Sequence, residues 1–508
     1  MGLTSSDATS CLACGLMTSL LEQFASTVER HPDRVAIVDG QGRETTFLEL
    51  QTRSRALAAL WHGKGIGQGD RVLLAMPVNA DLYAGLAALW SLGATVVLPE
   101  PAMGLGGLRH AARVTAPKAF CASGPYIFLK YLVPELFGVA LLRPQSGQGV
   151  PPPVTVSGSD IALISFTSGT TGKPKAIPRS HAFLLAQNEA VLPLLQSERQ
   201  ERDLVAFPVF TLVNLVAGQT SVLPNWKMSK MARLTTGALM AWVASQGVTR
   251  LLVPPSICEK LDPTALPEGL YTVFTGGGPV FPDLVSDLQE RSDVRVVCIY
   301  GSTEAEPIAH LEAQDITAAD IRDMAEGRGL LVGRPVSRVE VRIDNGEILV
   351  AGGHVNSGYL DPAQNAGNKV IDGDTTWHRT GDAGVFDDAG RLWLLGRCGS
   401  EITMPDGPLY PFSVEVAARY WPGAERSALV GAEGRPILVV QGDRKNLSEW
   451  RDLAGDFGIS EVRCVDQIPM DKRHNSKVDR VALSKQIANC ASFRTRMFSA
   501  EALDGGQS

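Results

Sequence analysis

Cysteine is scarce in this chain, with eight residues in 508, which excludes a disulfide-stapled scaffold and points to a reducing compartment. Cys121, Cys258, Cys298 and Cys464 lie in or beside apolar segments, where a thiol serves as a small core residue. Cys11 and Cys14 form a C-x-x-C, but no second pair follows at metal-site spacing. No window approaches the roughly 18 uninterrupted apolar residues of a membrane span, and no basic segment followed by an apolar one opens the chain. Met1-Gly2-Leu3-Thr4-Ser5-Ser6 fits a myristoylation pattern, yet no polybasic patch supplies the second anchor that stable attachment needs. Residues 1–16 therefore read as a loose tail, and a cytoplasmic protein without stable membrane insertion is expected. Positive charge is also in short supply. Lys and Arg number 47 against 54 Asp and Glu, a net charge of -7, which argues against nucleic acid as a partner. Internal repeats and low-complexity tracts are absent apart from Pro151-Pro152-Pro153, a stiff loop.

What the chain has is length and apolar rhythm. At 508 residues it exceeds the roughly 250–300 that one core serves, so two or more domains are expected. Hydrophobic residues make up 44% and charged residues 20%, with 51 Gly and 31 Pro, the composition of a loop-rich enzyme. A helix is expected from Met17, with Leu20, Leu21 and Phe24 at helical spacing, then a strand Val35 to Val38, a helix from Phe47 to about Trp61, a strand at 70–76, a helix from Ala80 to Leu92 and a strand Thr95 to Leu98. This order implies parallel strands, and the rhythm recurs at Ile161 to Phe166, Leu204 to Phe207, Arg250 to Val253, Thr272 to Phe274 and Val294 to Ile299. Beyond Gly329 short β segments follow, with Asp344-Asn345-Gly346 as a hairpin turn. The expected fold is α/β: a large domain over 17–395 with parallel sheets, helices and a β-rich part, and a small α+β domain over 396–508.

The stretch richest in chemistry is Ser165-Phe166-Thr167-Ser168-Gly169-Thr170-Thr171-Gly172-Lys173-Pro174-Lys175, directly after an apolar strand. Glycines let the backbone turn N–H groups toward an anion, hydroxyls donate to phosphate oxygens, and lysine neutralises charge. A surface turn of the same composition is the plainer reading. It is not a Walker A loop, because Gly169 and Gly172 are too close and Pro174 occupies the hydroxyl position.

The stretch closely resembles the phosphate loop of the adenylate-forming superfamily, which holds acyl-CoA synthetases, peptide synthetase adenylation domains and luciferases. The resemblance covers residues 20 to about 485. Tyr300-Gly301-Ser302-Thr303-Glu304 resembles that family's aromatic-G-x-T-E motif, which implies that Thr303 contacts phosphate, that Glu304 holds Mg²⁺ and that Tyr300 stacks on the base. Trp377-His378-Arg379-Thr380-Gly381-Asp382 resembles the motif whose Asp grips the ribose hydroxyls, and Gly396-Arg397 the pair whose Arg reaches the same sugar. Gly276-Gly277-Gly278-Pro279 resembles the turn against adenine, where missing side chains let backbone approach a flat base. Physical chemistry agrees: one carboxylate can chelate a hard cation beside phosphates, and another can accept two hydroxyls. Each motif alone is also what a solvated turn looks like; four in the family's order are not.

Near the C-terminus stands Pro469-Met470-Asp471-Lys472-Arg473-His474-Asn475-Ser476-Lys477-Val478-Asp479-Arg480. Lys477 matches the family's catalytic lysine, but the usual preceding Gly is Ser476 and the spacing from Pro469 is longer. This R-H-N-x-K form resembles the olefin β-lactone synthetase branch. Thr211 stands where many ligases carry His, and the segment Arg397 to Thr403 lacks the usual paired acids, although Gly399 suits a hinge. Both departures weigh against a plain CoA ligase. His474 is either a base or a structural histidine.

The resemblance implies ATP and Mg²⁺ as cofactors and a small-molecule carboxylic acid, in the β-lactone branch a β-hydroxy acid, as substrate. The acid would be activated as acyl-adenylate and then closed to a β-lactone. Transfer to CoA or an acyl-carrier protein is the alternative outcome, and a nucleotide-binding regulator without chemistry is the rival class. The aliphatic run Val213 to Val216 is a candidate acyl-chain lining or plain helix core.

Overall fold

The computed structural model describes residues 19–487 except 146, 148, 152, 168–173, 406, 433–434 and 471–477. Cys11 and Cys14, and the tail over 1–16, lie outside the described residues.

Two sheets carry most of the parallel strands. The smaller runs in the order Ala140–Leu142, Ala119–Ala122, Arg71–Ala75, Thr95–Val97, Ile161–Phe166 and Ala176–Ser180; every pairing is parallel except the last. The larger has a parallel centre in the order Val35–Val38, Thr220–Val222, Arg202–Val205, Arg250–Val253, Thr272–Gly276 and Arg295–Ser302. It turns antiparallel at Ala305–Glu312 and continues through Leu330–Pro335, Leu392–Arg397, Thr375–Phe386 and Glu347–Ala351. The apolar rhythm does not tell the two sheets apart: Val35–Val38 joins the larger although the next strand of that rhythm, Arg71–Ala75, belongs to the smaller. Strands such as Arg250–Val253 and Thr272–Gly276 are buried at every residue, because layers cover both faces of a parallel sheet. One expectation is displaced: the strand placed at Leu204 to Phe207 lies at Arg202–Val205, since Phe207 and Pro208 start the helix Pro208–Ala217.

The hairpin turn forms as expected, with Asn345 and Gly346 at φ +50° and +82° joining Glu340–Asp344 to Glu347–Ala351. A three-stranded sheet of Ala424–Ala432, Arg435–Gly442 and Glu461–Val465 carries a separate core around Trp450, Leu438 and Val414. Its other face is covered by Ile468, Leu483 and Ile487. The helix Pro411–Ala417 serves both sides of the junction, Val414 packing into this small core and Val416 into the large one. Arg419 to Asp283 at 3.3 Å and Arg426 to Glu259 at 3.1 Å add ion pairs across it. No helix among the described residues is long and apolar enough to cross a membrane.

Candidate active site

The strand Arg295–Ser302 divides its side chains by alternation: Ile299 and Gly301 line a cavity, while Tyr300 points to the neighbouring strands. There the Tyr300 hydroxyl donates to Asp382 Oδ2 at 2.8 Å, and Arg397 NH1 donates to Asp382 Oδ1 at 2.8 Å and to the Thr380 carbonyl at 3.1 Å. Asp382 and Arg397 are direct cross-strand partners, so the sheet register makes this pair. Burial pushes the Tyr300 phenol well above its usual range, and the Asp382 charge adds to this. Gly381 sits at φ +71°, and a Cβ there would come within 2.7 Å of the Arg397 guanidinium. Glycine is what lets the arginine lie across the turn.

Thr303 and Glu304 form the turn between Arg295–Ser302 and Ala305–Glu312, with Thr303 exposed. The turn is held by its backbone: the Thr303 carbonyl accepts Arg179 NH2 at 2.6 Å and the Glu304 carbonyl accepts Asn356 N at 2.7 Å. Gly301 has no room for a side chain, since a Cβ would lie 2.9 Å from the Ala305 carbonyl. Glu304 Oε1 accepts the Tyr359 hydroxyl at 3.1 Å. The Tyr359 ring also carries two ammonium groups, Lys175 at 5.0 Å and Lys369 at 5.3 Å from its centroid. Lys175 donates to Asn368 Oδ1 at 2.7 Å. Lys369 donates to the Asn356 carbonyl and lies 3.2 Å from His378 Nδ1. Burial pulls the Lys369 amine down to about 7, with Glu304 opposing, and pulls His378 down to about 3 with Lys369 adding to the effect. Two amines and one carboxylate on a single patch suit a polyphosphate with a divalent cation. Among the described residues no group of three or more His, Cys, Asp or Glu side chains forms a metal cage. Glu304 alone fits an ion that takes its other oxygens from phosphate and water.

The phosphate loop starts and ends here. Thr167 N donates to the Lys175 carbonyl at 3.0 Å, closing the loop's base beside the Lys175 side chain. Ser168, Gly169, Thr170, Thr171, Gly172 and Lys173 lie outside the described residues, as do His474 and Lys477. The frame of the lysine segment is described: Met470 and Val478 form an antiparallel bridge and Asp479 N donates to the Pro469 carbonyl at 2.8 Å. Arg480 then ties this frame to the small sheet, donating to the Leu429 carbonyl at 2.7 Å and to the buried Glu415 Oε1 at 2.6 Å.

On the other side of Gly301 a cavity of about 540 Å³, open solvent included, runs between the helix His181–Leu195 and the strands, lined by Val191, Leu195, Phe210, Leu252 and Phe274 among others. Gly276 and Gly277 are part of its wall. A Cβ on Gly276 would meet the Ile299 carbonyl at 2.4 Å, and Gly277, at φ +75°, faces the Phe207 ring at 3.1 Å. Gly278 follows directly. Val213 to Val216 do not line this cavity directly: Val213 packs with Val191, Leu195, Leu252 and Phe274, which form its wall, and Leu215 lies in the core with Phe24 and Leu50. Sequence reasoning missed Tyr359, Lys369, Arg179 and Glu306. A charged residue near the start of the strand Ala305–Glu312, directly after the Thr303-Glu304 turn, was a visible signal for Glu306 alone.

This arrangement, a nucleotide-sized set of polar groups meeting an apolar cavity across two glycine turns, is that of an adenylate-forming enzyme. Its architecture is similar to o-succinylbenzoate coenzyme A synthetase (MenE) from Bacillus subtilis in complex with ATP and magnesium ion, with a TM-score of 0.74 at 20% identity, covering 90% of this chain and 98% of that one. Residues 24–360 match the model of the AMP-binding enzyme family. The chain belongs to that family and is an ATP-dependent, AMP-forming synthetase. It is 30% identical over 498 residues to the olefin β-lactone synthetase of Stenotrophomonas maltophilia, covering 86% of this chain and 90% of that one. To the olefin β-lactone synthetase of Xanthomonas campestris it is 28% identical over 549 residues, covering 92% and 98%.

Proposed function

We propose that this enzyme activates a β-hydroxy carboxylic acid as its acyl-adenylate and closes it to a β-lactone. The observation that carries the nucleotide half is Asp382, whose two carboxylate oxygens are both presented by fixed donors, Tyr300 and Arg397. In this reading Asp382 and Arg397 hold the ribose, Tyr300 and the Gly277-Gly278 turn flank the base, and Thr167 through Lys175 with Thr303 receive the phosphates. Mg²⁺, held by Glu304, supplies charge neutralisation of the phosphates.

The substrate carboxylate attacks the α-phosphorus and pyrophosphate leaves, with Lys477 stabilising the developing charge. The adenylate then holds its own β-hydroxyl beside the activated carbonyl. The hydroxyl oxygen bonds to that carbon and gives up its proton to solvent, the bond to AMP breaks with its electron pair leaving on the AMP phosphate, and a four-membered lactone is released; positioning supplies much of the acceleration. The division into a 17–395 body and a 396–508 lid belongs to this reading, with Gly399, at φ +78° and free of close neighbours, as the hinge.

Similarity to two olefin β-lactone synthetases over nearly the whole chain supports the lactone outcome. The fold shared with a coenzyme A synthetase keeps thiol transfer as the second reading. The deciding experiment incubates the full chain with MgATP and a racemic 3-hydroxy fatty acid, with and without CoA, and identifies products by NMR. Lactone and AMP without CoA are expected; a thioester formed only with CoA replaces the lactone reading.

A further inference from the structure

The walls of the cavity beyond Gly277 and Gly301 are aliphatic and aromatic, and only two of its lining residues bring polar side-chain atoms, Thr275 and Glu306. The Thr275 hydroxyl lies against the Cys258 thiol, in the core behind the strand, which leaves Glu306 as the polar group of this wall. The half-buried Glu306 anchors its backbone by accepting Gln187 Nε2 at 3.2 Å, but no described residue gives its carboxylate a hydrogen bond or an ion pair. An unpaired carboxylate against an apolar cavity costs several kcal/mol unless something donates to it. Arg179 is close enough to act on it electrostatically but makes no ion pair with it: one nitrogen donates to the Thr303 carbonyl, and Nε has no hydrogen-bond partner among the described residues.

Glu306 also has a fixed place along the cavity. Its Cα would lie 3.3 Å from a Cβ on Gly301, so it borders the end where the nucleotide groups Tyr300 and Glu304 are carried on the same hairpin. The partner it awaits is therefore near the reacting carboxyl of a bound acid, within its first few carbons. A hydroxyl meets the chemistry of this group by donating to the carboxylate. An ammonium would bring a second positive charge close to buried Arg179.

We propose that Glu306 selects acids with a hydroxyl close to the carboxyl group. The proposal rests on the acid-activation reading above and adds to it the residue that sets specificity. A carboxylate placed to receive a hydroxyl rejects the analogue that lacks it, because the charge is then buried unpaired.

The test measures pyrophosphate release with a 3-hydroxy acid, the matching unhydroxylated acid and the matching 3-amino acid, on the full chain and its Glu306→Leu and Glu306→Gln variants, with thermal melts as a check on folding. Wild type is expected to favour the hydroxy acid in kcat/KM. In Glu306→Leu that preference should fall by about 100-fold, mostly through KM, while kcat/KM for the unhydroxylated acid rises because the apolar wall is completed. Glu306→Gln, which keeps an acceptor, should lose only about three- to tenfold of the preference. A preference unchanged in both variants, or a wild-type preference for the 3-amino acid, overturns the proposal; a general loss of rate with all three acids in the folded variants does so too. If wild type passes its acyl group to CoA and makes no lactone, the closure step fails while this ratio still decides the role of Glu306.

Discussion

The Tyr300 hydroxyl donates to Asp382 Oδ2 while Arg397 occupies the other oxygen of the same carboxylate. The tie joins two elements 82 positions apart in sequence, at residues that the proposed function places beside the base and the ribose. Tyr300→Phe keeps the ring and removes the tie. It should raise KM for ATP about tenfold, the ~1.5 kcal/mol of a hydrogen bond to a charged acceptor, with kcat for pyrophosphate release falling much less. Equal losses in kcat and kcat/KM would show instead that the hydroxyl acts in the transition state.

Glu304→Gln preserves shape and the contact with the Tyr359 hydroxyl but removes the carboxylate that, among the described residues, shares this patch with Lys175 and Lys369 and is proposed to face the phosphates. A hard cation then keeps only phosphate and water ligands. The Mg²⁺ concentration for half-maximal pyrophosphate release should rise at least about tenfold and turnover should collapse. An unchanged Mg²⁺ titration would place the metal on another carboxylate.

These residues were readable because each motif is contiguous: the hairpin turn carries Tyr300 to Glu304 together, and one strand carries His378, Thr380 and Asp382. What was not readable lies between segments. Tyr359 reaches Glu304 from a loop 55 residues downstream, where Asn356-Ser357-Gly358 and Asp361-Pro362 announce a turn but not what it meets. The split into two sheets was invisible for another reason. A strand covered on both faces is an apolar run whichever sheet it joins, so Val35–Val38 and Arg71–Ala75 look alike in sequence. Val213 to Val216 show the converse error risk: apolar residues on a helix beside the site face the core, and the cavity is lined instead by Phe207 and Phe210 one to two turns earlier.

His378 predicts a pH effect on stability. Burial, with Lys369 at 3.2 Å, pulls its pKa from 6.5 down to about 3. Between those values the unfolded chain binds a proton that the folded chain refuses. The histidine's contribution is therefore complete above pH 6.5 and is lost as pH falls toward 3, by a few kcal/mol on the order of one pKa unit per 1.4 kcal/mol. His378→Gln cannot titrate, so its unfolding free energy, measured by urea titration from pH 7 to 4, should fall less steeply than that of wild type. Parallel acid limbs would count against a buried neutral histidine.

Arg480 closes the account of the lysine segment. Its guanidinium joins the Leu429 carbonyl to the carboxylate of Glu415, which is buried and whose pKa burial pushes up while Arg480 pulls it back. Arg480→Met leaves Glu415 buried and unpaired, which should cost about 3–5 kcal/mol of stability. The same change loosens the root of the segment that carries Lys477, because the bridge between Met470 and Val478 stands directly before it. Pyrophosphate release should therefore fall steeply, though less than in Lys477→Ala, where the cation itself is removed. Adding Glu415→Leu to Arg480→Met removes the stranded charge and should recover most of the lost stability in urea unfolding, since an apolar pair replaces a buried ionic one. Adenylation should recover with it if Arg480 serves only to hold the frame. A double variant that regains stability but not pyrophosphate release would give Arg480 a direct part in placing Lys477 over the phosphates.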